Sequence, residues 1–121
     1  KKIAIMITHW KGDPPTAPYY AVIFISQKSE QLDGYAEADA EMMSEAQKQE
    51  GYLGYSSSGE PKQGIFISYW QDQESIQKWR AHSGHIQAKQ NGKQSWYNYY
   101  HSIIAKVERS VIHGEWLEGI Q

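Results

Sequence analysis

Four apolar runs alternate with two helical stretches along the chain. The runs are short and rich in Ile, Val, Tyr and Trp, which favours β-strands; they span residues 19–26, 52–58, 64–70 and 99–109. In the first and third runs, YYAVIFIS and GIFISYW, both strand faces are apolar, as is typical of central strands covered on both sides. Gly59 and Pro61 predict a turn between the second and third runs, and therefore a hairpin.

The first helical stretch spans about residues 32–50. Its apolar positions follow one another at spacings of three or four and form one stripe: Tyr35, Ala38, Met42 and Ala46. Carboxylates surround this stripe, which indicates a solvated outer face. Gly51 follows the stretch and predicts the C-cap of the helix.

The second helical stretch begins after Asp72, whose carboxylate is a typical N-cap. Its stripe has spacings of three, three and four: Ile76, Trp79, His82 and Ile86. Gly84 lies inside this pattern and predicts a break, with Ser83 capping a renewed helix. Helical residues are expected to resume briefly over residues 93–97.

This order of elements, strand–helix–strand twice over, predicts an α+β fold. It is the ferredoxin-like βαββαβ arrangement, with an antiparallel sheet and both helices on one sheet face. The other sheet face is apolar as well and has no third layer in the chain to cover it. A bare apolar sheet would be an unusually large exposed patch. We therefore expect two subunits to pack sheet to sheet as a homodimer.

The predicted domain, residues 19–110, is flanked by two segments of different character. Residues 1–18 form an N-terminal extension that contains a short alternating strand over residues 2–9 and then a proline-rich breaker. Residues 111–121 form a C-terminal tail rich in apolar side chains. A terminus of this composition is expected to dock on a surface, and the partner subunit is one candidate.

Composition narrows the class of protein. The 121 residues carry a net charge of −2, which gives no indication of nucleic-acid binding. The chain has no Cys, so it has no disulfide scaffold, cysteine nucleophile or thiolate metal site, which suits the cytoplasm. No apolar run reaches the length of a membrane span, and no signal-peptide pattern is present. We expect a cytoplasmic protein that binds neither nucleic acid nor membrane.

Three motifs together resemble the antibiotic biosynthesis monooxygenase superfamily. They are YYAVIF at 19–24, GYLGYSS at 51–57, and the stretch from ISYW at 67–70 through WYNYY at 96–100 to ERS at 108–110. The resemblance covers about residues 19–110. It implies a dimeric α/β barrel with a cavity in each subunit between its sheet and its helices.

The resemblance implies more than one activity. Some relatives oxidise polycyclic aromatic molecules with O2 and without metal or flavin, others degrade heme, and some lack a redox role. The heme degraders use an Asn on the first strand, a helix Trp, and an axial His about ten residues later. Trp79 matches the Trp, but the position ten residues on is Lys89, and the first strand has no Asn. The sequence therefore favours a cofactor-independent oxygenase, with heme as a less favoured cofactor.

The candidate catalytic residues are His82 and Trp79, which share the stripe of the second helix. An imidazole titrates near neutrality and is suited to a general base or a ligand. A Trp on such a stripe either packs in the core or forms a cavity wall that stacks on a flat substrate. His85 lies one turn after His82, but no third ligand is at hand, so no metal site is predicted.

Further candidates for substrate binding are aromatic residues at the strand ends: Tyr69, Trp70, Trp96 and Tyr100, together with His85. Tyr69 and Trp70 point to opposite faces of their strand, so one of the two is expected to enter the cavity. The cluster at 96–100 is interpreted as dimer packing or as a source of a phenol that binds a substrate carbonyl. Three functions stay open at this point: an oxygenase of a small aromatic molecule, a heme-binding or heme-degrading enzyme, and a non-enzymatic small-molecule-binding dimer.

Overall fold

The computed structural model describes residues 6–90 and 96–117, apart from the side chain of Gln90. Five strands and two helices follow in chain order: β1 (Thr8–Trp10), β2 (Tyr19–Lys28), α1 (Tyr35–Ala46), β3 (Tyr52–Glu60), β4 (Gln63–Trp70), α2 (Gln73–Gln90) and β5 (Tyr97–Val107). No helix within these described residues is both long and apolar enough to cross a membrane.

The strands form one antiparallel sheet in the order β1-β3-β4-β2-β5. The four strands other than β1 have the ferredoxin-like order, which confirms the predicted α+β fold. The β3–β4 hairpin turns through Pro61 and Lys62 only, a tighter turn than the sequence predicted. The N-terminal extension contributes β1, which pairs with β3 at one edge of the sheet. The part of the predicted N-terminal strand before Met6 and most of the predicted helical segment 93–97 lie outside the described residues.

Two predicted helix boundaries are wrong for identifiable reasons. Helix α1 ends at Ala46 with Gln47 as its C-cap, several residues before Gly51. Gly51 instead has a left-handed backbone, with φ of 89°, and a side chain there would collide with Ser75. Helix α2 is continuous across Gly84, because a glycine inside a helix lowers its stability only modestly and does not by itself end it. The predicted cap is confirmed, since the Asp72 Oδ1 atom accepts a hydrogen bond of 2.8 Å from the Ser75 N–H.

Both helices pack on the same face of the sheet, which we call the helix-covered face. One cluster joins Ala46 of α1 and Ile76 of α2 to Tyr52 and Trp70 of the sheet. A second cluster joins Ala38, Ile86 and Trp96, with Tyr35, Met42 and Tyr97 packed against it. The predicted stripe of α1 is therefore confirmed as the face that packs inward.

The opposite sheet face, which we call the open face, carries no described helix. Its central side chains are isoleucines that are half-buried or exposed: Ile23, Ile25, Ile65, Ile67 and Ile103. Ile65 is 47% exposed. A groove of about 460 Å³ lies at the hairpin end of the sheet beside Ile25, Ile65 and Tyr99. The apolar character predicted for both sheet faces is thus present in the structure.

Candidate functional site

A row of aromatic rings crosses the helix-covered face between the two core clusters; we call it the aromatic trough. It consists of His9, Tyr55, Phe66, Phe24 and Tyr100, one ring from each strand. His9 stacks on Tyr55 at 5.0 Å between ring centroids, and Tyr55 stacks on Phe66 at 5.5 Å. Phe66 is paired across the sheet with Phe24, which stacks on Tyr100 at 5.4 Å. The trough therefore consists of two stacked groups, His9–Tyr55–Phe66 and Phe24–Tyr100, which are neighbours where Phe66 and Phe24 lie opposite each other.

The trough is only partly covered. Tyr55, Phe66 and Phe24 are half-buried, and Tyr100 is 49% exposed, whereas Trp70 and Trp96 in the neighbouring clusters are fully buried. These rings lie on the face that the helices cover, so their exposure means that the helices do not close over the middle of the sheet.

The strand register explains why the trough stays open. Each of its three central rings faces a serine on the neighbouring strand: Phe66 opposite Ser57, Tyr55 opposite Ser68, and Phe24 opposite Ser102. Residues opposite each other on paired strands project from the same face. Because the serines are small, they leave the ring surfaces available for stacking against a flat molecule.

A group of titratable side chains borders the Phe24 end of the trough. Tyr97 is in edge contact with Phe24 at 5.3 Å and with Tyr100 at 5.9 Å between ring centroids. Tyr35, at the start of α1, approaches Tyr97 at 6.3 Å. The Lys28 ammonium lies 5.3 Å from the centroid of the Tyr35 ring. Asp39 follows Tyr35 by four residues on α1, so the two side chains share one helix face.

The environment of this group shifts its proton equilibria. Burial raises the pKa of Tyr35, and the negative charge of Asp39 raises it further. Burial is also the main reason that the pKa of Tyr97 is raised. The side-chain hydrogen-bond interaction between the two tyrosines lowers the pKa of Tyr35 and raises that of Tyr97.

Asp39 has a raised pKa as well. Burial of its carboxyl group is the main cause, and the positive charge of Lys28 opposes it. Asp39 is an exposed residue of α1, so a proton can exchange between this carboxyl group and water. A raised pKa makes a carboxylate a stronger base near neutrality.

The predicted catalytic pair lies at the other end of the helices. Trp79 is half-buried, packs against the first core cluster, and stacks on Trp70 at 5.9 Å between ring centroids. His82 is 5.9 Å from Trp79 between ring centroids, and its Nε2 atom is 3.1 Å from Oε1 of Glu45. The structure therefore brings Trp70, Trp79 and His82 together.

His82 does not lie on the buried stripe of α2. Its side chain is 44% exposed, whereas Ile76 and Ile86 are buried. A helix turns about 100° per residue, so two successive steps of three residues place His82 about 120° away from Ile76 around the helix. Hydrogen bonds from Lys48 and then His82 lower the pKa of Glu45, so the three side chains link α1 and α2 at the surface.

The remaining predicted binding residues are dispersed. Trp70 and Trp96 are fully buried, and each indole N–H is already bonded, to Ser68 Oγ and to the Asp33 carbonyl respectively, at 2.8 Å. Tyr69 lies on the open face and bonds Ser56 Oγ at 2.8 Å. His85 is exposed on α2. Among the predicted binding residues, only Tyr100 belongs to the aromatic trough.

The residues that the resemblance connects with heme do not reproduce a heme site. Lys89 occupies the position ten residues after Trp79, and its ammonium pairs with Glu41 at 3.0 Å. His82 directs Nε2 to Glu45. No group of three or more potential metal-ligating His, Asp or Glu side chains occurs in the portion of the chain that the structure describes.

Sequence reasoning missed the centre of the trough and the titratable group beside it. Phe24, Tyr55 and Phe66 occur in apolar strands, where nothing distinguishes a half-exposed ring from a buried one. The available signal was the register, because pairing β2 with β4 places the only two Phe residues opposite each other. The titratable group joins Lys28 and Tyr97 of the sheet to Tyr35 of α1, and no local pattern in the sequence connects these three residues.

The model of the antibiotic biosynthesis monooxygenase family matches residues 18–91. This range begins just before β2 and ends after α2, so it includes the three central trough rings, Phe24, Tyr55 and Phe66. An uncharacterized Bacillus subtilis protein, YqjZ, is 44% identical over 102 residues, which cover 84% of this chain and 90% of that protein. The chain therefore belongs to the antibiotic biosynthesis monooxygenase family.

More distant comparisons agree on the fold. The jasmonate monooxygenase ABM of Pyricularia oryzae is 27% identical over 100 residues, 79% of this chain but only 46% of that enzyme. The crystal structure of SnoaB, a cofactor-independent oxygenase from Streptomyces nogalater, superposes with a TM-score of 0.63 at 10% identity, covering 80% of this chain and all of SnoaB. PA3566 from Pseudomonas aeruginosa gives a TM-score of 0.58 at 12% identity, with coverage of 81% and 100%.

Proposed function

We propose that this protein is a cofactor-independent oxygenase of a flat, electron-rich aromatic molecule, which it binds on the aromatic trough. The observation that carries the proposal is the partly open row of stacked rings beside a titratable cluster. The family supports a monooxygenase-like activity, and two relatives, the jasmonate enzyme and SnoaB, are oxygenases by name.

The ligand that fits this surface is planar and has at least one ring that stacks on Phe24 and Phe66. Offset stacking and ring-edge contacts contribute about 0.5–1.5 kcal/mol per pair beyond the burial of area. A phenol or an enolisable ketone fits best, because loss of a proton gives an electron-rich anion that reduces O2 directly. Such a molecule needs no flavin or metal to supply electrons.

Anthrone, a tricyclic enolisable ketone, is a suitable test molecule. It loses a proton from its ring methylene, a carbon–oxygen bond to O2 forms, and anthraquinone and one water are released. The substrate supplies all the electrons, so the reaction is balanced without a further reductant. We expect the purified protein, treated with a chelator, to accelerate O2 uptake in the presence of anthrone.

The trough is tested by removing one ring while keeping an apolar side chain of similar size. Phe66→Leu is expected to weaken anthrone binding about tenfold, the equivalent of roughly one lost stacking contact. Phe66→Tyr is the matched control, because it keeps the ring, and its affinity is expected to stay close to that of the wild type. Equal affinities for Phe66→Leu and the wild type would show that the ligand binds elsewhere.

Binding and O2-uptake measurements also distinguish the oxygenase from the two alternative functions. Binding of anthrone without O2 uptake would indicate a non-enzymatic small-molecule-binding protein. A Soret band on mixing with hemin, lost in His82→Ala or His85→Ala, would instead support heme binding. The predicted catalytic roles of His82 and Trp79 stay proposals.

We also propose that two copies of the chain associate through the open face. The half-buried and exposed isoleucines support this arrangement, since a second apolar sheet would cover them. The tail offers a further apolar contact surface, with Val111 83% exposed and Ile112 62% exposed. A cytoplasmic location stays a prediction from the sequence.

A further inference from the structure

The aromatic trough ends at a residue of the N-terminal extension. His9 lies on the edge strand β1, and it stacks on Tyr55 at 5.0 Å between ring centroids with an interplanar angle of 26°. Tyr55 in turn stacks on Phe66 at 5.5 Å. The family match begins at residue 18, so β1 and its imidazole lie outside the matched range. His9 is therefore an addition that the N-terminal extension makes to the trough.

The backbone of β1 fixes His9 from both sides. The Ser57 N–H donates a hydrogen bond of 2.9 Å to the Ile7 carbonyl, two residues before His9. The Lys11 N–H donates one of 2.8 Å to the Leu53 carbonyl, two residues after it. The segment that carries the imidazole is thus bonded to β3 at both ends.

The two neighbours of His9 determine which way its side chain points. Successive residues of a strand point to opposite faces, and Thr8 and Trp10 both project onto the open face. Thr8 Oγ1 is 2.7 Å from Ser56 Oγ, and the Trp10 ring packs on Tyr69 at 4.7 Å between centroids. Because both neighbours make contacts on the open face, the imidazole is directed onto the helix-covered face, against the trough.

The imidazole is the only basic ring of the five that form the trough. The other four belong to two phenylalanines and two tyrosines, and these rings do not accept a proton near neutral pH. His9 is exposed, and within the described part of the chain neither of its ring nitrogens has a hydrogen-bond partner. By contrast, Nε2 of His82 is 3.1 Å from Oε1 of Glu45. An accessible imidazole is the side chain best suited to accept a proton near neutrality.

We propose that His9 is the general base of the aromatic trough and accepts the proton that a phenolic or enolisable ligand loses there. This inference rests on the proposed function, because it needs a planar ligand on the trough. A ligand that extends from Phe66 over Tyr55 reaches the imidazole, since these three rings stack in sequence.

The transfer is balanced without a further reactant. The C–H or O–H bond of the ligand breaks, and its electron pair stays on the ligand as an enolate or phenolate. The proton passes to a ring nitrogen of His9. The resulting imidazolium and the ligand anion attract each other, and the exposed ring returns its proton to water after each cycle.

Proton transfer can be measured apart from oxygen chemistry. Anthrone in D2O without O2 exchanges its methylene protons for deuterium whenever it is deprotonated, and NMR follows that exchange. We expect the wild-type protein to accelerate exchange and His9→Phe to lose about 100-fold of the acceleration, the lower range for a general base. Phe keeps a ring that stacks on Tyr55, so anthrone affinity, measured by quenching of protein fluorescence, is expected to be unchanged.

Two further variants separate proton transfer from a structural effect. His101→Phe makes the same substitution at an exposed residue opposite Ile25 on the open face, and it is expected to exchange like the wild type. His9→Ala removes the ring from an exposed position, so imidazole added to the solution can take its place. We expect added imidazole to restore part of the exchange rate of His9→Ala, after subtraction of its effect without protein. Proteolysis before Tyr19 is expected to stay as slow as in the wild type.

Every outcome supports or refutes His9 as the base. The proposal is overturned if the wild type does not accelerate exchange, if His9→Phe exchanges at the wild-type rate, or if His9→Phe loses affinity as much as exchange. It is also overturned if imidazole does not restore exchange in His9→Ala, because the role would then be structural. Exchange that requires His9 without O2 uptake in air would refute the oxygenase and leave the role of His9 intact. O2 uptake at the wild-type rate in His9→Phe would refute that role and leave the oxygenase intact.

Discussion

Trp96 gives a direct test of whether a predicted binding residue belongs to the core. It is fully buried, and its indole N–H donates a 2.8 Å hydrogen bond to the carbonyl of Asp33. Trp96→Phe removes this donor and leaves a void beside the smaller ring. Leaving the Asp33 carbonyl without its donor costs about 1–3 kcal/mol. The lower end of this range applies because Asp33 is exposed and its carbonyl can accept a hydrogen bond from water instead. The void adds about 1 kcal/mol.

The expected loss for Trp96→Phe is therefore about 2 kcal/mol, compared with a typical total stability of about 5–15 kcal/mol. In a domain of this size it corresponds to a fall in Tm of roughly 8 °C. Urea unfolding followed by far-UV circular dichroism, at one fixed protein concentration, measures the change in the free energy of unfolding.

The matched control is Trp116→Phe, the same substitution at a tail residue that is 44% exposed, with an expected change below about 0.5 kcal/mol. Anthrone affinity is expected to stay the same in both variants, measured well below Tm. Unchanged stability of Trp96→Phe together with weaker binding would contradict the assignment of Trp96 to the core.

Three further predictions concern the open face, the buried phenols and the first strand. Ile65→Glu is expected to convert a dimer to monomers in size-exclusion chromatography without unfolding the chain; an unchanged elution volume would place the interface elsewhere. Burial, with a contribution from Tyr55, raises the pKa of Tyr52 to about 12, so the folded state keeps a proton that the unfolded state loses near pH 10. The free energy of unfolding, measured by urea titration, is therefore expected to fall as pH rises from about 10 to about 12, and Tyr52→Phe is expected to reduce that fall. The same pH dependence in the wild type and in Tyr52→Phe would contradict this cause. Gly54→Ala is expected to release β1 from the sheet, because the new Cβ would meet the backbone of His9 and lie 2.9 Å from the Trp10 Cα atom. Faster proteolysis of the chain before Tyr19 would show this release. Resistance to proteolysis equal to that of the wild type would argue against it.

The fold follows from the sequence because the periodicities are strong and local. Strands β2 and β4 are apolar on both faces, which predicted their central places, and the apolar stripe of α1 predicted its inward side. The ends of the helices were less predictable because tertiary contacts determine them. Gly51, for example, is required by the close approach of Ser75 and not by the end of a helix.

The candidate site was predictable only in part. A stripe read at spacings of three and four assigned His82 to the inward side of α2, although the helical rotation carries it to the surface. Of the residues predicted to bind substrate, Tyr100 is a half-exposed ring of the trough, whereas Trp70 and Trp96 are fully buried and each indole N–H already has a hydrogen-bond partner. The titratable group beside the trough combines side chains of β2, α1 and β5, so no local sequence pattern could reveal it.

O2 uptake with anthrone tests the central claim most directly. The wild-type protein, free of added flavin and metal and treated with a chelator, is expected to consume O2 and form anthraquinone in equal amounts. Phe66→Leu is expected to require about tenfold more anthrone for the same rate, and Phe66→Tyr to behave like the wild type. Uptake no faster than in buffer, with anthrone bound, would contradict the proposed oxygenase.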